Sequence, residues 1–380
     1  MTLVYDRRDD LTNEPQMHAF VVGCGRFPHI AKTEKADRLA AYDSAIAMID
    51  FLLSQEDTME PRLATVDCLL ADPRINPESA QDEFPARPTY GINQPIPVKR
   101  PTEAGFKHAI NEFILRCRPG DSVYIYFCSH GVAGRDETGL LVLEDIKSLP
   151  GNQWQQLVDV KTLAQNLPVF INAKNAWIFM DACQEVLDEL YDLSGGVNTL
   201  IPVTVTAPQV AKHTGPITAL CSGRYGQQTF APENGGIGYF TLALLDGLTK
   251  SCVDRNNLRW KVSSAQLSSS LETVATAAGY PKIAVTNLLT PGRTAFLVDV
   301  ADPSIPVLVT SRPASTLMSA DKACARSNDS SQEFQKNGNG AWRFRAPAEP
   351  MRYTINIEKD GSQSRFAMEV TPSAVVWEIC

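Results

Sequence analysis

The chain has 380 residues, 44% hydrophobic and 21% charged, a balance that fits a globular protein of about two domains. Its net charge of −8 argues against nucleic-acid binding, which needs a basic face, and suits only a weak attraction for basic peptides. No apolar run approaches the roughly 20 residues of a membrane span, and the charged start MTLVYDRRDDLTNEP lacks the apolar core of a signal peptide.

HAFVVGCG (18–25) predicts a first strand. The stretch from about Lys35 to Gln55, with Leu39, Ile46, Ile49, Leu52 and Leu53 on one face, predicts a helix. RLATVDCLLAD (62–72) predicts a second strand, and residues 73–101, with seven prolines, a long loop. TEAGFKHAINEFILRC (102–117) reads as a helix opened by Pro101 and Thr102 and closed before Arg118-Pro119-Gly120. SVYIYFCSHG (122–131) and AWIFMDACQ (176–184) are β-branched and aromatic runs, too short for buried helices, and read as covered strands. Between them lie GLLVLED (139–145), a short strand or hairpin piece, and VKTLAQNL (160–167), a short helix.

ITALCSG (217–223) predicts a further strand, GIGYFTLALLDGL (236–248) leads into a helix, and Ser263–Ala278 predicts another. This alternation implies βαβ crossovers and an α/β domain with a mostly parallel sheet flanked by helices. Near Asp302-Pro303-Ser304 the texture changes. VLVTS, AWRFRA, MRYTINIEK, SRFAMEV and AVVWEI predict a small all-β, sandwich-like domain over 301–380, after a first domain over 1–300.

The two covered strands end in His130 and Cys183. In open α/β sheets chemistry collects beyond the carboxyl ends of the strands. A thiol and an imidazole meeting there would form a nucleophile and its proton acceptor. Gly131 removes the side chain beside the base, so its N–H and that of Cys183 could both face a developing oxyanion. Asp181, two residues before Cys183, shares its strand face. The remaining cysteines of the nine carry no C-x-x-C spacing, and several lie inside apolar runs, so reduced core thiols and a cytoplasmic setting are expected. His18, His29, His108 and His213 lack metal-ligand spacing, and GCG (23–25) lacks the rest of a phosphate loop. No metal or other cofactor is expected.

The strand-SHG, the strand-DAC and the downstream SGRYGQQTFAPENGGIGYFTLALLDGL (222–248) resemble the caspase-like cysteine peptidases, within them most the metacaspase, paracaspase and bacterial caspase-homologue branch. The likeness covers roughly residues 15–300. In caspases the histidine precedes the cysteine by about 50 residues. The resemblance implies a cysteine endopeptidase with a Cys183–His130 dyad, cleaving after Arg or Lys because Asp-Ala-Cys replaces Gln-Ala-Cys. It implies a second acidic residue at Asp43 and a pocket segment carrying Gln228 and Glu233. Gln184-Glu185 departs from the Gly or Ser-Gly that often follows the nucleophile.

The stretch 184–216 corresponds to an activation loop and holds one basic residue, Lys212; Arg74, Arg87 and Lys99-Arg100 are other sites where self-cleavage could occur. Some relatives need calcium, but Glu185, Asp188, Glu189 and Asp192 lack an EF-hand-like loop and read as a solvated face. Ser222 and Gly223 could offer a backbone edge to a substrate strand. Expected partners are a basic peptide substrate and a regulatory protein on 301–380, with a role in bacterial stress or defence permitted by resemblance. Two other readings stay open: a silent scaffold binding a partner through its β domain, and a different hydrolase or acyl transferase using the same dyad.

Overall fold

The structure is a computed structural model and describes residues 2–30, 39–76, 78, 81–134, 139–148, 156–186, 199–200, 204–232, 235–281, 283–289, 292–311, 322–326, 331–333, 335–336, 342–348, 351–359, 362–370 and 375–379. Seven strands form its central sheet: β1 (Leu3–Asp6), β2 (Met17–Cys24), β3 (Leu63–Ala71), β4 (Ser122–Cys128), β5 (Ala176–Asp181), β6 (Ile217–Ser222) and β7 (Val285–Asn287). Their order across the sheet is β1-β3-β2-β4-β5-β6-β7. The five inner strands are parallel, and β1 and β7 close the edges antiparallel. Strands β2, β3, β4 and β5 are buried along their whole length, as their unbroken apolar runs require.

Helices cover both faces, so the chain is an α/β protein with a mostly parallel sheet. On one face Phe20, Val22, Val123, Ile125, Phe127, Ile178 and Met180 alternate along the strands and pack with Phe106, Ile110 and Phe113 of helix α2 (Glu103–Arg116) and Leu163 and Leu167 of helix α3 (Val160–Phe170). On the other face Tyr124 donates its hydroxyl to the Met48 sulfur of helix α1 (Leu39–Ser54) at 3.0 Å. There α1 lies against β2 so closely that a Cβ at Gly23 would fall 2.5 Å from the Ala45 Cβ. Gly23 of GCG thus serves helix seating. The expected start signal of α2 is present: Thr102 Oγ1 accepts from the Gly105 N–H at 3.1 Å.

The proline-rich segment is pinned rather than loose. Arg26, 4% exposed at the exit of β2, donates Nε to Glu144 Oε1 at 2.8 Å and Nη2 to Asp82 Oδ2 at 2.7 Å. Its Nη1 reaches the carbonyls of Asp72 and Ile75 at 2.9 and 3.0 Å. Removing one member of a buried ion cluster strands the charges left behind. Arg26→Ala should therefore cost about 3–5 kcal/mol of stability, read as a lower urea midpoint for the full chain.

Beyond β4 the chain enters a second, four-stranded sheet of Gly131–Ala133, Gly139–Val142, Leu157–Asp159 and Thr199–Leu200. GLLVLED is its second strand. The sheet as a whole is not legible in the sequence, because its strands are only two to four residues long.

The chain divides into two compact units, residues 1–241 with 284–295, and residues 242–283 with 296–380. The change of texture at 300/301 falls inside the second unit. That unit holds a three-stranded sheet (Val253–Asn256, Arg259–Ser263, Phe296–Asp299) and the helix Ser264–Ala278, capped by the Ser263 hydroxyl accepting from the Gln266 N–H at 3.1 Å. Two four-stranded sheets follow. One orders Gln335–Lys336, Trp342–Pro347, Ser304–Ser311 and Val375–Ile379; the other Ser331–Glu333, Lys322–Arg326, Met351–Lys359 and Ser362–Val370. Phe344 of the first meets Tyr353 of the second with ring centroids 5.3 Å apart.

Candidate active site

The register of β4 and β5 fixes where the two reactive residues fall. Asp181 pairs with Cys128, and beyond the strand ends Glu185 bridges to Val132, an unchanged offset of 53 residues. The same offset sets Cys183 opposite His130. Two hydrogen bonds hold the flanks of this run together, Ser129 N–H to Asp181 O at 3.4 Å and Ala133 N–H to Glu185 O at 2.9 Å.

His130 sits in a pinned turn. Its carbonyl accepts from the Val142 N–H at 2.9 Å, and the Ser129 hydroxyl donates to the Val142 carbonyl at 2.6 Å. The imidazole stacks on the buried Phe27, with centroids 4.7 Å apart and planes tilted by 58°. Gly131 is required on steric grounds. A Cβ there would lie 2.3 Å from the Cys183 carbonyl oxygen and 2.8 Å from the Ala182 Cβ. The sequence argued this glycine from oxyanion access; the structure adds close packing against the backbone of Cys183.

Cys183 is half-buried, while Cys24, Cys68, Cys128, Cys221 and Cys252 are buried. Burial pushes all five of those thiols up, which leaves them protonated and inert. Thr229 touches the Cys183 sulfur from the neighbouring segment, its N–H at 3.2 Å and its hydroxyl at 3.4 Å.

Asp181 is buried on the α1 face of the sheet. Its Oδ2 accepts from the Thr241 hydroxyl at 2.6 Å, and Thr241 is in turn 2.5 Å from the Tyr126 hydroxyl. Burial pushes the Asp181 carboxyl up, with the Thr241 and Ser222 hydroxyls pulling it back. Asp43 reaches the same segment from α1. Its Oδ2 accepts from the Gly236 N–H at 3.2 Å, and the adjoining Ser44 Oγ accepts from the Gly238 N–H at 2.9 Å. Residues 236–241 therefore link both carboxylates. Arg74 lies 3.5 Å from Asp43, but Asp72 holds its guanidinium through Nε at 2.8 Å and Nη2 at 2.9 Å.

The remaining expectations fare unevenly. Gln228 is exposed and donates Nε2 to Glu185 Oε1 at 3.1 Å rather than to Asp181 or Asp43. Glu233, and residues 187–198 and 201–203 of the proposed activation loop, with Asp188, Glu189 and Asp192 among them, lie outside the described residues. Lys212 closes the short helix Ala207–Lys212. Arg87 is paired with Asp50 at 2.5 Å and Arg100 lies 3.5 Å from Glu144, so the candidate self-cleavage arginines 74, 87 and 100 all stand in ion pairs. The backbone edge expected at Ser222 and Gly223 is already taken. Ser222 pairs with Val285 of β7, and the Gly223 N–H donates to Ala284 O at 2.7 Å. β7 is too short and too polar to announce itself as a strand, which hid its cover from the sequence. Among the described residues no group of three or more His, Cys, Asp or Glu side chains could hold a metal ion. Among them, too, no helix is long and apolar enough to cross a membrane.

Thr241, Ser44, Thr229, Gln184 and Phe27 were not singled out as site residues from sequence. Only Gln184 carried a signal, as the residue departing from the resembled pattern.

No family model and no curated protein matches the chain. Among solved structures, the crystal structure of a protein from Geobacter sulfurreducens, a structural-genomics target, matches with 14% identity over 73% of this chain and 94% of that one, at a TM-score of 0.41.

Proposed function

We propose that the chain is a cysteine endopeptidase of caspase-like type that cuts after arginine or lysine. The observation that carries this reading is the constant register that lays the Cys183 strand end beside the His130 strand end. In the proposed reaction the Cys183 sulfur attacks the scissile carbonyl carbon and its proton passes to His130. The N–H groups of Gly131 and Cys183 receive the developing oxyanion. His130 then gives the proton to the leaving amine as the C–N bond breaks, leaving a thioester. Water, losing a proton to His130, attacks the thioester, and the carboxylic product departs as the thiol is restored.

Asp181 and Asp43 supply the selectivity. A buried carboxylate without a cation is costly, and an incoming guanidinium relieves that cost while an acidic side chain aggravates it. Arginine suits such a pair better than lysine, because its planar fork can bond two oxygens at once. We place the enzyme in the cytoplasm, with 301–380 open to a regulatory partner.

A panel of fluorogenic peptides carrying Arg, Lys or Asp before the reporter tests the reading. Cleavage in the order Arg, Lys, with Asp untouched, is expected. Indifference to all three, together with failure of an arginyl chloromethylketone to label Cys183, would leave the scaffold reading instead.

A further inference from the structure

We propose that Thr229 is the residue that holds the Cys183 sulfur in its reactive form, and that Gln184 puts it there. The inference rests on Cys183 being the nucleophile and deepens that reading.

Three atoms of Thr229 surround the sulfur. The main-chain N–H donates to it at 3.2 Å, the hydroxyl oxygen lies at 3.4 Å, and the carbonyl oxygen lies at 3.9 Å. This set serves both protonation states. A thiol can accept from the N–H while donating to the carbonyl or the hydroxyl. A thiolate, which only accepts, can take the N–H and the rotated hydroxyl together. Once the proton has moved to His130, two donors therefore remain to meet the negative sulfur. Hydrogen bonds to an ionised acceptor are about twice as strong as neutral ones.

Thr229 is 46 residues from Cys183 in sequence, and Gln184 bridges that gap. Its N–H donates to Gln227 O at 3.0 Å and its carbonyl accepts from the Gly226 N–H at 2.8 Å. Its side chain, on a residue only 2% exposed, donates Nε2 to Gly223 O at 2.8 Å. The residue beside the nucleophile thus grips three points of the turn that ends at Thr229. A glycine or serine at 184 could not make the side-chain bond, which gives the departure from the resembled pattern a physical purpose.

The test is the rate at which iodoacetamide alkylates Cys183 in the full-length protein, followed on its tryptic peptide by mass spectrometry across a range of pH. Thr229→Val keeps the shape and the N–H but loses the hydroxyl. It should slow alkylation near neutral pH by about tenfold to a hundredfold, the worth of one hydrogen bond to a charged group, with the gap closing at high pH. Thr229→Ser should alkylate at the wild-type rate. Gln184→Leu should match Thr229→Val, and the double variant should be no slower than either single one. Wild-type rates in Thr229→Val at every pH, or equal slowing in the serine variant, would overturn the proposal. If Gln184→Leu fails to fold, the valine and serine pair decides alone. The peptidase reading fails separately: a wild type that cuts no peptide but keeps this order of alkylation rates defeats that reading and leaves Thr229 in its role.

Discussion

Cys183→Ala is expected to reduce hydrolysis of an arginyl reporter by about 10⁴-fold or more, to the level set by binding and oxyanion contacts alone. The alanine removes the atom that would form the thioester in the proposed reaction. Cys183 is only half-buried, and its sulfur is hydrogen-bonded to the backbone and hydroxyl of Thr229. The fold should persist, because the run from Asp181 to Glu185 is held by backbone bonds that alanine keeps. Steady-state kinetics of the purified variant, beside its circular dichroism, checks both halves. A surviving rate with intact structure would mean that the sulfur is not the nucleophile.

Asp181→Asn should separate selectivity from stability. The amide retains an oxygen that can accept from Thr241 but loses the charge that would meet a guanidinium. Removing one partner of a buried charge pair in a complex costs about 10²- to 10³-fold, and the loss should fall on kcat/KM for arginyl peptides while alkylation of Cys183 is spared. Stability should move the other way. Burial holds the Asp181 carboxyl above its ordinary value of 3.8 in the folded chain. Its favourable contribution is therefore complete below the unfolded value and lost as pH rises through the raised folded one. At neutral pH the wild type carries a penalty that asparagine lacks, so the variant should unfold at an equal or higher urea concentration. The difference should shrink as the buffer is acidified through the raised folded value. A variant much weaker at neutral pH would show that the carboxylate is held by a cation after all.

The strongest strands of the first unit were legible because each carries its own signal. FVVGC, TVDCLLA, VYIYFC and WIFMD are covered on both faces and need no partner to be recognised. Cys183 and His130, the pair proposed as a dyad, drew notice for the same reason, since each sits at the end of such a run. What stayed hidden depends on partners distant in sequence. Thr241 reaches Asp181 across 60 positions, and neither local period nor composition marks it. The turn residues Asn257 and Leu258, both with positive φ, join a hairpin that reads in sequence as a polar stretch. The edge strand β1 escaped because LVYD is short and flanked by charge. Gln228 was placed by resemblance alone, and its bond to Glu185 shows how little a matched segment says about where one flexible side chain points.

The contact between Gly23 and Ala45 reaches further than packing. Asp43 stands two positions before that alanine on the same helix, so its depth is measured from the spot where a lone hydrogen meets a methyl group. A bulkier residue at 23 would lift the helix and carry the carboxylate with it, leaving Asp43, Asp181 and their partners chemically unaltered. If the chain is the peptidase proposed above, its preference for one cation over another could thus drift through a change behind the helix, at a position away from the peptide.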